Sequence, residues 1–242
     1  MLARVLEPEV MDTPEEALAY DAMDHSEVNR LFVDDFLRAA AGRPGQAIDV
    51  AAALASLQLA PTNHTAVLLD LGTGTAQIPV ELCRRDAGFR VLAVDLSPSM
   101  LNLARSKIEV ASLTSSIRLD LVDAKGLTYA DGRFAAVMSN SIVHHIPEPA
   151  QSLAEALRVL APGGLIFFRD LLRPADGSTV ELLVETYAAD CTEHQRQLFD
   201  DSLRAALTLD EIRGIVQASG QDPQQVHQTS DRHWTWSARI GG

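Results

Sequence analysis

The sequence predicts an α/β protein built on a doubly wound, mostly parallel sheet, and three observations predict it. From Ala66 onward, short apolar runs alternate with amphipathic stretches, as strands alternate with crossover helices in parallel sheets. One of these runs leads into the glycine turn Gly72-Thr73-Gly74, which opens a helix. Near the C-terminus, Trp234 and Trp236 alternate with polar residues, which indicates an antiparallel strand with one buried face.

Composition narrows the class of protein. The chain has 242 residues, 47% of them hydrophobic, which is enough for one domain with a sizeable core. No apolar run approaches the roughly 18 residues that span a bilayer, and the N-terminus does not read as a signal peptide. The two cysteines, Cys83 and Cys191, form neither a disulfide framework nor a thiolate zinc pattern. We therefore expect a soluble, cytoplasmic protein, monomer or homodimer, with no membrane partner and no metal.

The chain is acidic, with 20 basic and 33 acidic side chains and a formal net charge of −13. Residues 1–36 carry ten acidic side chains and two arginines, which gives a local charge of −8. Such a surface repels a phosphate backbone, so a nucleic-acid partner is disfavoured. The alternative is that these acids form a solvated helix face that keeps the protein in solution.

Residues 1–60 read as helical and are predicted to form an N-terminal lid. Thr13, Pro14 and Glu16 supply a helix cap, a first-turn proline and a capping-box acid. A break at 43–45 precedes a second, alanine-rich helical stretch at 48–59. Residues 61–242 then form the sheet domain.

The elements of the sheet domain follow in order. A helix starts at Ser97-Pro98, and another is stopped by Pro162-Gly163-Gly164. Past Arg173, capping boxes at Ser178 with Glu181 and at Thr208 with Glu211 predict a helical insertion at about 174–222. The strand candidates before the last strand are 67–71, 90–95, 117–122, 134–139 and 165–169.

The glycine turn indicates a nucleoside-containing ligand. Glycines at such a turn bring backbone N–H groups close to a ligand that lies across the strand ends. Asp95 ends the next strand, where a carboxylate accepts hydrogen bonds from ribose hydroxyls. The dinucleotide fingerprint needs a glycine at position 77, where this chain has Gln77, so pyrophosphate binding is poorly supported. Asp70, just before the glycines, suits a positively charged ligand such as S-adenosylmethionine.

The chain resembles the class I S-adenosylmethionine-dependent methyltransferases of the small-molecule type from about Leu68 to Arg169. The resemblance implies a Rossmann-like sheet of seven strands with an antiparallel last strand, and S-adenosyl-L-methionine as cofactor. One departure is Ala76, which replaces the third glycine of the family's turn. The matching stretches, in the family's order, are 70–76, 94–101, 123–124, 134–146 and 160–164.

The resemblance also implies the cofactor contacts. The methionyl part would lie on Gly72 and Gly74, with its ammonium at Asp70 and at the Asn140 carbonyl. The ribose would bind Asp95, and the adenine would lie between Met100 and the 123–124 turn. The residues so assigned are Asp70, Gly72, Thr73, Gly74, Asp95, Leu96, Met100, Asp123, Ala124 and Asn140.

The catalytic and acceptor-side residues are predicted only from their positions relative to the strands. His144 and His145 follow the fourth strand, beside the methyl end of the cofactor, and a histidine suits the removal of an acceptor proton near neutral pH. The alternative is that one or both orient the loop. Asp170 ends the fifth strand, where ligands of open parallel sheets bind. The acceptor-side candidates are Tyr20, Arg173, His194 and Arg232.

Several functions remain open at this point. A nicotinamide-dependent reductase would share the fold, although it should have glycine at position 77. A non-catalytic, regulatory homologue would keep every cofactor contact without turnover. The acceptor is expected to be a small molecule, with RNA or protein as the alternative. Asn140 is not followed by the Pro-Pro-aromatic that family enzymes for amide and exocyclic amine nitrogens often carry, so that acceptor type loses support.

Overall fold

The computed structural model describes residues 2–8, 13–41, 68–86 and 88–241. The helix predicted at 48–59 and the first residue of the strand predicted at 67–71 lie outside these ranges.

The sheet has seven strands, as predicted. The strands are β1 (Leu68–Leu71), β2 (Val91–Asp95), β3 (Ile117–Leu121), β4 (Phe134–Asn140), β5 (Leu160–Leu171), β6 (Val226–Gln228) and β7 (His233–Ile240). They lie in the order β3-β2-β1-β4-β5-β7-β6. The first five in that order run parallel, and β7 is antiparallel to both β5 and β6. From β1 the chain adds β2 and β3 on one side of the sheet and then β4 and β5 on the other. The topological switch point therefore lies between β1 and β4, which is where open parallel sheets bind ligands.

Helix caps confirm most of the predicted starts. The side chains of Thr13, Ser97 and Thr208 accept the backbone N–H bonds that begin their helices. The capping box predicted at Ser178 is wrong: Asp176 is the N-cap, because its carboxylate accepts from the Thr179 N–H at 2.9 Å. The helices are α1 (Pro14–Asp21), α2 (Ser26–Ala41), α3 (Gln77–Arg85), α4 (Pro98–Val110), α5 (Pro149–Val159), α6 (Gly177–Tyr187), α7 (Glu193–Ala205) and α8 (Leu209–Ala218).

Strand β5 begins earlier than the sequence predicts. The Pro162-Gly163-Gly164 segment, expected as the stop after a helix, lies inside the strand, and α5 ends at Val159. A register shift between Phe134 and Ala136 on the neighbouring strand β4 accommodates this irregular start.

Both faces of the sheet are buried, which explains the nearly continuous apolar runs of the parallel strands. One face packs on α5 and α8, with Trp234 and Trp236 fully buried there. The other face packs on α2, α3 and α4. Phe32 and Phe36 of α2 are each 1% exposed, so this helix belongs to the core as well as to the predicted lid.

Helices α6 and α7 pack on each other around Val180, Leu183 and Leu203, in a small core of their own. Helix α8 differs, because its Ile212 and Val216 join the main core beside β6. No helix among the described residues has both the length and the apolar character needed to cross a bilayer.

Candidate active site

A cavity of about 670 Å³ opens at the carboxyl ends of β1, β2 and β4. This volume lies in the range of roughly 300–1,000 Å³ that is typical of small-molecule sites. Residues of α1 and α2 line one side of the cavity, and residues of α6 and α7 line another. The cavity therefore runs from the glycine turn to the helices that flank the sheet.

The glycine turn is shaped as its sequence predicts. Gly72 and Gly74 have φ angles of +68° and +54°, which lie in the left-handed region that favours glycine. A Cβ on Gly72 would lie 2.1 Å from Cγ2 of Ile142, so the loop after β4 closes directly on the turn. Ala76, at the position of the family's third glycine, also has a left-handed φ, +58°.

Asp95 fixes the turn from the end of β2. Its Oδ2 accepts the Gly74 N–H at 2.7 Å, and its Oδ1 accepts the Ser97 N–H at 2.9 Å. Burial raises the pKa of this carboxyl, although the N–H bonds oppose the shift. The backbone N–H groups of Gly74, Leu96 and Ser97 use three of the roughly four acceptor sites of this carboxylate, which leaves one for a hydroxyl donor from the cavity.

Asp70 is a buried carboxyl that lacks a cationic partner. It is 3% exposed, lines the cavity, and forms no ion pair with a basic side chain of the described residues. Burial raises its pKa to about 7. A buried carboxylate is costly without a positive charge beside it, so the site fits a ligand that brings one, such as the ammonium of a methionyl group.

The remaining predicted cofactor residues gather on the same cavity. Met100 is 6% exposed and, like Leu96 and Ala124, forms part of the wall. Asp123 accepts the Lys125 N–H at 2.8 Å, which holds the turn after β3. Thr73 and Asn140 also line the cavity, so the structure brings all ten predicted cofactor residues together.

The sequence analysis did not find the residues that tie the N-terminal helices to the glycine turn. Asp21, at the end of α1, accepts the Thr75 hydroxyl at 2.6 Å and pairs with Lys107 at 2.7 Å. Gln77, noted only because it is not glycine, accepts from Asn29 of α2 at 2.9 Å. The side chain in place of the dinucleotide glycine therefore anchors α2 over the turn.

The two histidines lie in a 3-10 turn, Val143–His145, and both line the cavity. Asp170 lies behind His144, 2.5 Å from its Nδ1, and accepts the Val143 and Leu171 N–H groups. Burial opposes protonation of His144, but Asp170 and Glu7 outweigh it and raise its pKa. Burial lowers the pKa of His145 to about 3, so this imidazole is neutral. Asp170, predicted as a catalytic residue, does not line the cavity, and its carboxylate contacts the His144 ring instead.

Two of the four acceptor-side candidates reach the cavity. Tyr20 and Arg232 line it, and the Arg232 guanidinium stacks 3.3 Å over the Tyr187 ring. Arg173 does not, because it pairs with Glu211 at 2.6 Å and donates to the Ala206 carbonyl. His194 does not either, since it is exposed on α7.

Part of the chain matches a known protein family. Residues 69–168, from β1 through most of β5, match the family model described as a methyltransferase domain. This stretch is a class I S-adenosylmethionine-dependent methyltransferase domain. S-Adenosylmethionine is accordingly the cofactor of the methyltransferase domain, as the sequence predicts.

Relatives of the methyltransferase domain extend the comparison. A demethylmenaquinone methyltransferase of Deinococcus radiodurans is 37% identical over 110 residues, 46% of this chain and 45% of that protein. A 27-O-demethylrifamycin SV methyltransferase of Amycolatopsis mediterranei is 25% identical over 71% of this chain and 60% of its own. Less than two thirds of either relative therefore has a counterpart here. A methyltransferase structure from Aquifex aeolicus, 18% identical, covers 90% of this chain and 99% of its own with a TM-score of 0.53, which shows the shared fold.

Proposed function

We propose that this protein transfers the methyl group of S-adenosylmethionine to a small-molecule acceptor by in-line displacement. The observation that carries the proposal is the buried Asp70 beside the glycine turn, which has no ion-pair partner among the described residues and lies in a cavity that Asp95 also lines. These groups suit the two ends of this cofactor, an ammonium and a ribose, and not a pyrophosphate. The sulfonium carries the reactivity, so the chain has to hold the acceptor in line and exclude water.

The acceptor would lie at the end of the cavity away from the adenine residues. That end is lined by apolar side chains of β5, α6 and α7, namely Leu171, Ala188, Leu198 and Phe199, with Tyr187 and Arg232 beside them. Such a wall suits a mostly apolar acceptor with a few polar groups. The histidine turn at 143–145 lies between this end and the glycine turn, where an acceptor proton would have to be removed.

Three further features favour a small molecule over RNA or protein. Helices α1 and α2 on one side and α6 and α7 on the other narrow the approach to the cavity, which supports the lid role predicted for the N-terminal residues. The net charge of −13 disfavours a phosphate backbone. Both curated relatives are also named for small molecules.

A binding and a turnover measurement test the proposal. Isothermal titration should give binding of S-adenosylhomocysteine and none of NAD, because the turn has Gln77 and the cavity offers Asp70. Methyl transfer from tritiated S-adenosylmethionine should then appear with metabolite extracts and not with bulk RNA or protein. Tighter binding of NAD would overturn the cofactor assignment. Cofactor binding without transfer to any acceptor pool would favour the non-catalytic homologue.

We expect Asp95→Ala to weaken binding of S-adenosylhomocysteine about tenfold to a hundredfold. Charge-assisted hydrogen bonds of this kind contribute roughly 1.5 to 3 kcal/mol. The alanine also leaves the Gly74 N–H without its acceptor, so Asp95→Asn serves as the matched variant, because its amide oxygen can keep one N–H bond. Circular dichroism and titration calorimetry check this; an unchanged dissociation constant in both folded variants would remove Asp95 from the site.

A further inference from the structure

The N-terminal segment, residues 2–8, lies across the histidine turn and is held there by hydrogen bonds. Its backbone donates to the carbonyls of Ala175 and Arg204. The guanidinium of Arg4 donates to four carbonyl oxygens, three from the turn at 144–147 and that of Ala205 at the end of α7. These bonds place the carboxylate of Glu7 against the two histidines.

Three ligand-type atoms converge at this point. Oε1 of Glu7 lies 3.4 Å from Nε2 of His144 and 3.2 Å from Nδ1 of His145. All three atoms lie within 4.8 Å of one another, and no other trio of histidine, cysteine or acidic side chains in the described ranges does so. The side chains of Glu7 and His144 are 8% and 3% exposed, so the cluster is built into the protein interior.

Each imidazole makes a hydrogen bond with the ring nitrogen that faces away from Glu7. That bond determines whether the other ring nitrogen presents a lone pair to the cluster. Proline has no N–H, so the backbone bond between Pro8 and the His145 ring must be donated by the ring to the Pro8 carbonyl. Nδ1 of His145 has no hydrogen-bond partner among the described residues, so the donor is Nε2 and Nδ1 carries a lone pair. The His144 ring bonds Asp170 through Nδ1, which directs Nε2 toward the carboxylate of Glu7.

The raised pKa of His144 favours an Nε2–H beside Glu7 that a bound ion would displace, whereas two other atoms of the centre are buried acceptors without a hydrogen-bond partner among the described residues. Oε1 of Glu7, like Nδ1 of His145, is buried without a hydrogen-bond partner in the described part of the chain. Two acceptors 3.2 Å apart repel each other, and burying them unpaired is costly. A cation between them removes both costs.

We propose that Glu7, His144 and His145 form a binding site for a divalent transition-metal ion. Two imidazole nitrogens and one carboxylate oxygen suit zinc or ferrous iron, whereas magnesium and calcium prefer oxygen ligands. Ligand atoms at about 2.1 Å from a tetrahedral metal lie about 3.4 Å apart, and the two separations from Glu7 are 3.4 and 3.2 Å. The sequence analysis predicted no metal, because Glu7 lies far from the histidines in the chain.

The outer contacts match those of protein metal sites. Metal-binding histidines usually donate their second ring N–H to a carboxylate or a backbone carbonyl. His144 does so to Asp170, and His145 to Pro8. Asp170 is itself fixed by two backbone N–H groups, so the His144 ring is held in one orientation. Both histidines line the cavity, which gives a bound ion access to a further ligand from that side.

If the proposed methyl transfer is also right, the ion would act on the acceptor. A hydroxyl bound to a divalent metal loses its proton more readily, so the ion would take over the task assigned to a histidine base. This consequence rests on the proposed function. The metal site itself does not, because binding is measured without cofactor or acceptor.

Zinc binding to the metal-stripped full chain tests the proposal. Competition with a chromophoric chelator should give one zinc per chain, and both Glu7→Gln and His145→Phe should weaken that binding about 100-fold or more. Glu27→Gln, a cavity-lining acid, and His194→Gln, an exposed histidine, are the matched controls and should leave binding unchanged. Equal zinc affinity in all five proteins would overturn the site.

Two further readings guard against a folding artefact. Without metal, Glu7→Gln should be at least as thermally stable as the parent protein, because its amide N–H can donate to Nδ1 of His145. A structural ion pair between Glu7 and His144 predicts the opposite, a loss of stability together with no zinc binding, and that result overturns the proposal. Cobalt should bind without a thiolate charge-transfer band; such a band would move the ion to Cys191, which also lines the cavity, and would equally overturn it.

Discussion

Asp70→Asn should raise the melting temperature of the cofactor-free protein and weaken its binding of S-adenosylhomocysteine by about 30-fold or more. Both effects have one cause, the burial of a carboxyl without a cation. Losing one partner of a buried charge pair costs about 2 to 5 kcal/mol, which corresponds to about 30-fold to several-thousandfold in affinity. Titration calorimetry measures the loss. Glu27→Gln, an exposed acid on the same cavity, is the control and should bind as the parent protein does.

The stability gain should depend on pH in a defined direction. The pKa of Asp70 is about 7 in the folded chain, raised from 3.8. The folded protein therefore holds this proton to a higher pH than the unfolded chain, so Asp70 reduces the free energy of unfolding as pH rises from about 4 to about 7. The penalty is complete above pH 7 and amounts to at most about 4 kcal/mol, at 1.36 kcal/mol per pKa unit. The melting temperatures of the two proteins should diverge between pH 4 and pH 8.

The affinity for the cofactor should also depend on the ionisation of Asp70. An ammonium ligand needs Asp70 ionised, so the affinity of the parent protein for S-adenosylhomocysteine should rise with pH up to about 7 and then level off. In Asp70→Asn this slope should disappear. A slope that persists in the variant, or an unchanged dissociation constant, would mean that the ammonium binds elsewhere.

The cofactor side of the site is predictable from the sequence because local signals encode it. The glycine turn, Asp70 and Asp95 each stand at the end of an apolar strand, and the carboxyl ends of parallel strands meet at one edge of the sheet. Once the strands are read correctly, these residues have to converge. The last strand is set apart as antiparallel by its period-2 alternation, whereas the sequence analysis does not predict the order of the strands.

The acceptor side is not predictable in the same way. Asp170 lies near the end of β5 and Arg173 just beyond it, yet Asp170 turns toward His144 while Arg173 turns away to Glu211. Nothing periodic in the sequence distinguishes those two directions. The role of Glu7 is still harder to predict from the sequence, because residues 2–8 form neither helix nor strand. Hydrogen bonds from the Arg4 guanidinium to backbone carbonyls of the histidine turn hold this segment against the histidines.

Gly72→Ala should be the most destabilising glycine-to-alanine substitution in the glycine turn. A left-handed φ costs an L-residue roughly 1–2 kcal/mol, and Gly72 has φ +68°. The new Cβ would also lie 2.1 Å from Cγ2 and 2.8 Å from Cβ of Ile142, and overpacking of this kind costs about 1–3 kcal/mol. Denaturant unfolding should therefore show a loss of about 2–5 kcal/mol. Gly126→Ala is the control, since its Cβ would meet nothing within 4 Å and no positive φ is involved.

A double-mutant cycle separates the two contributions to that loss. In an Ile142→Gly background, which removes both Cγ2 and Cβ, the clash is relieved, so adding Gly72→Ala should cost only the backbone part, about 1–2 kcal/mol. The coupling free energy between the two positions should then equal the packing part, about 1–3 kcal/mol. Additive effects on stability would mean that Ile142 does not close on the turn in solution.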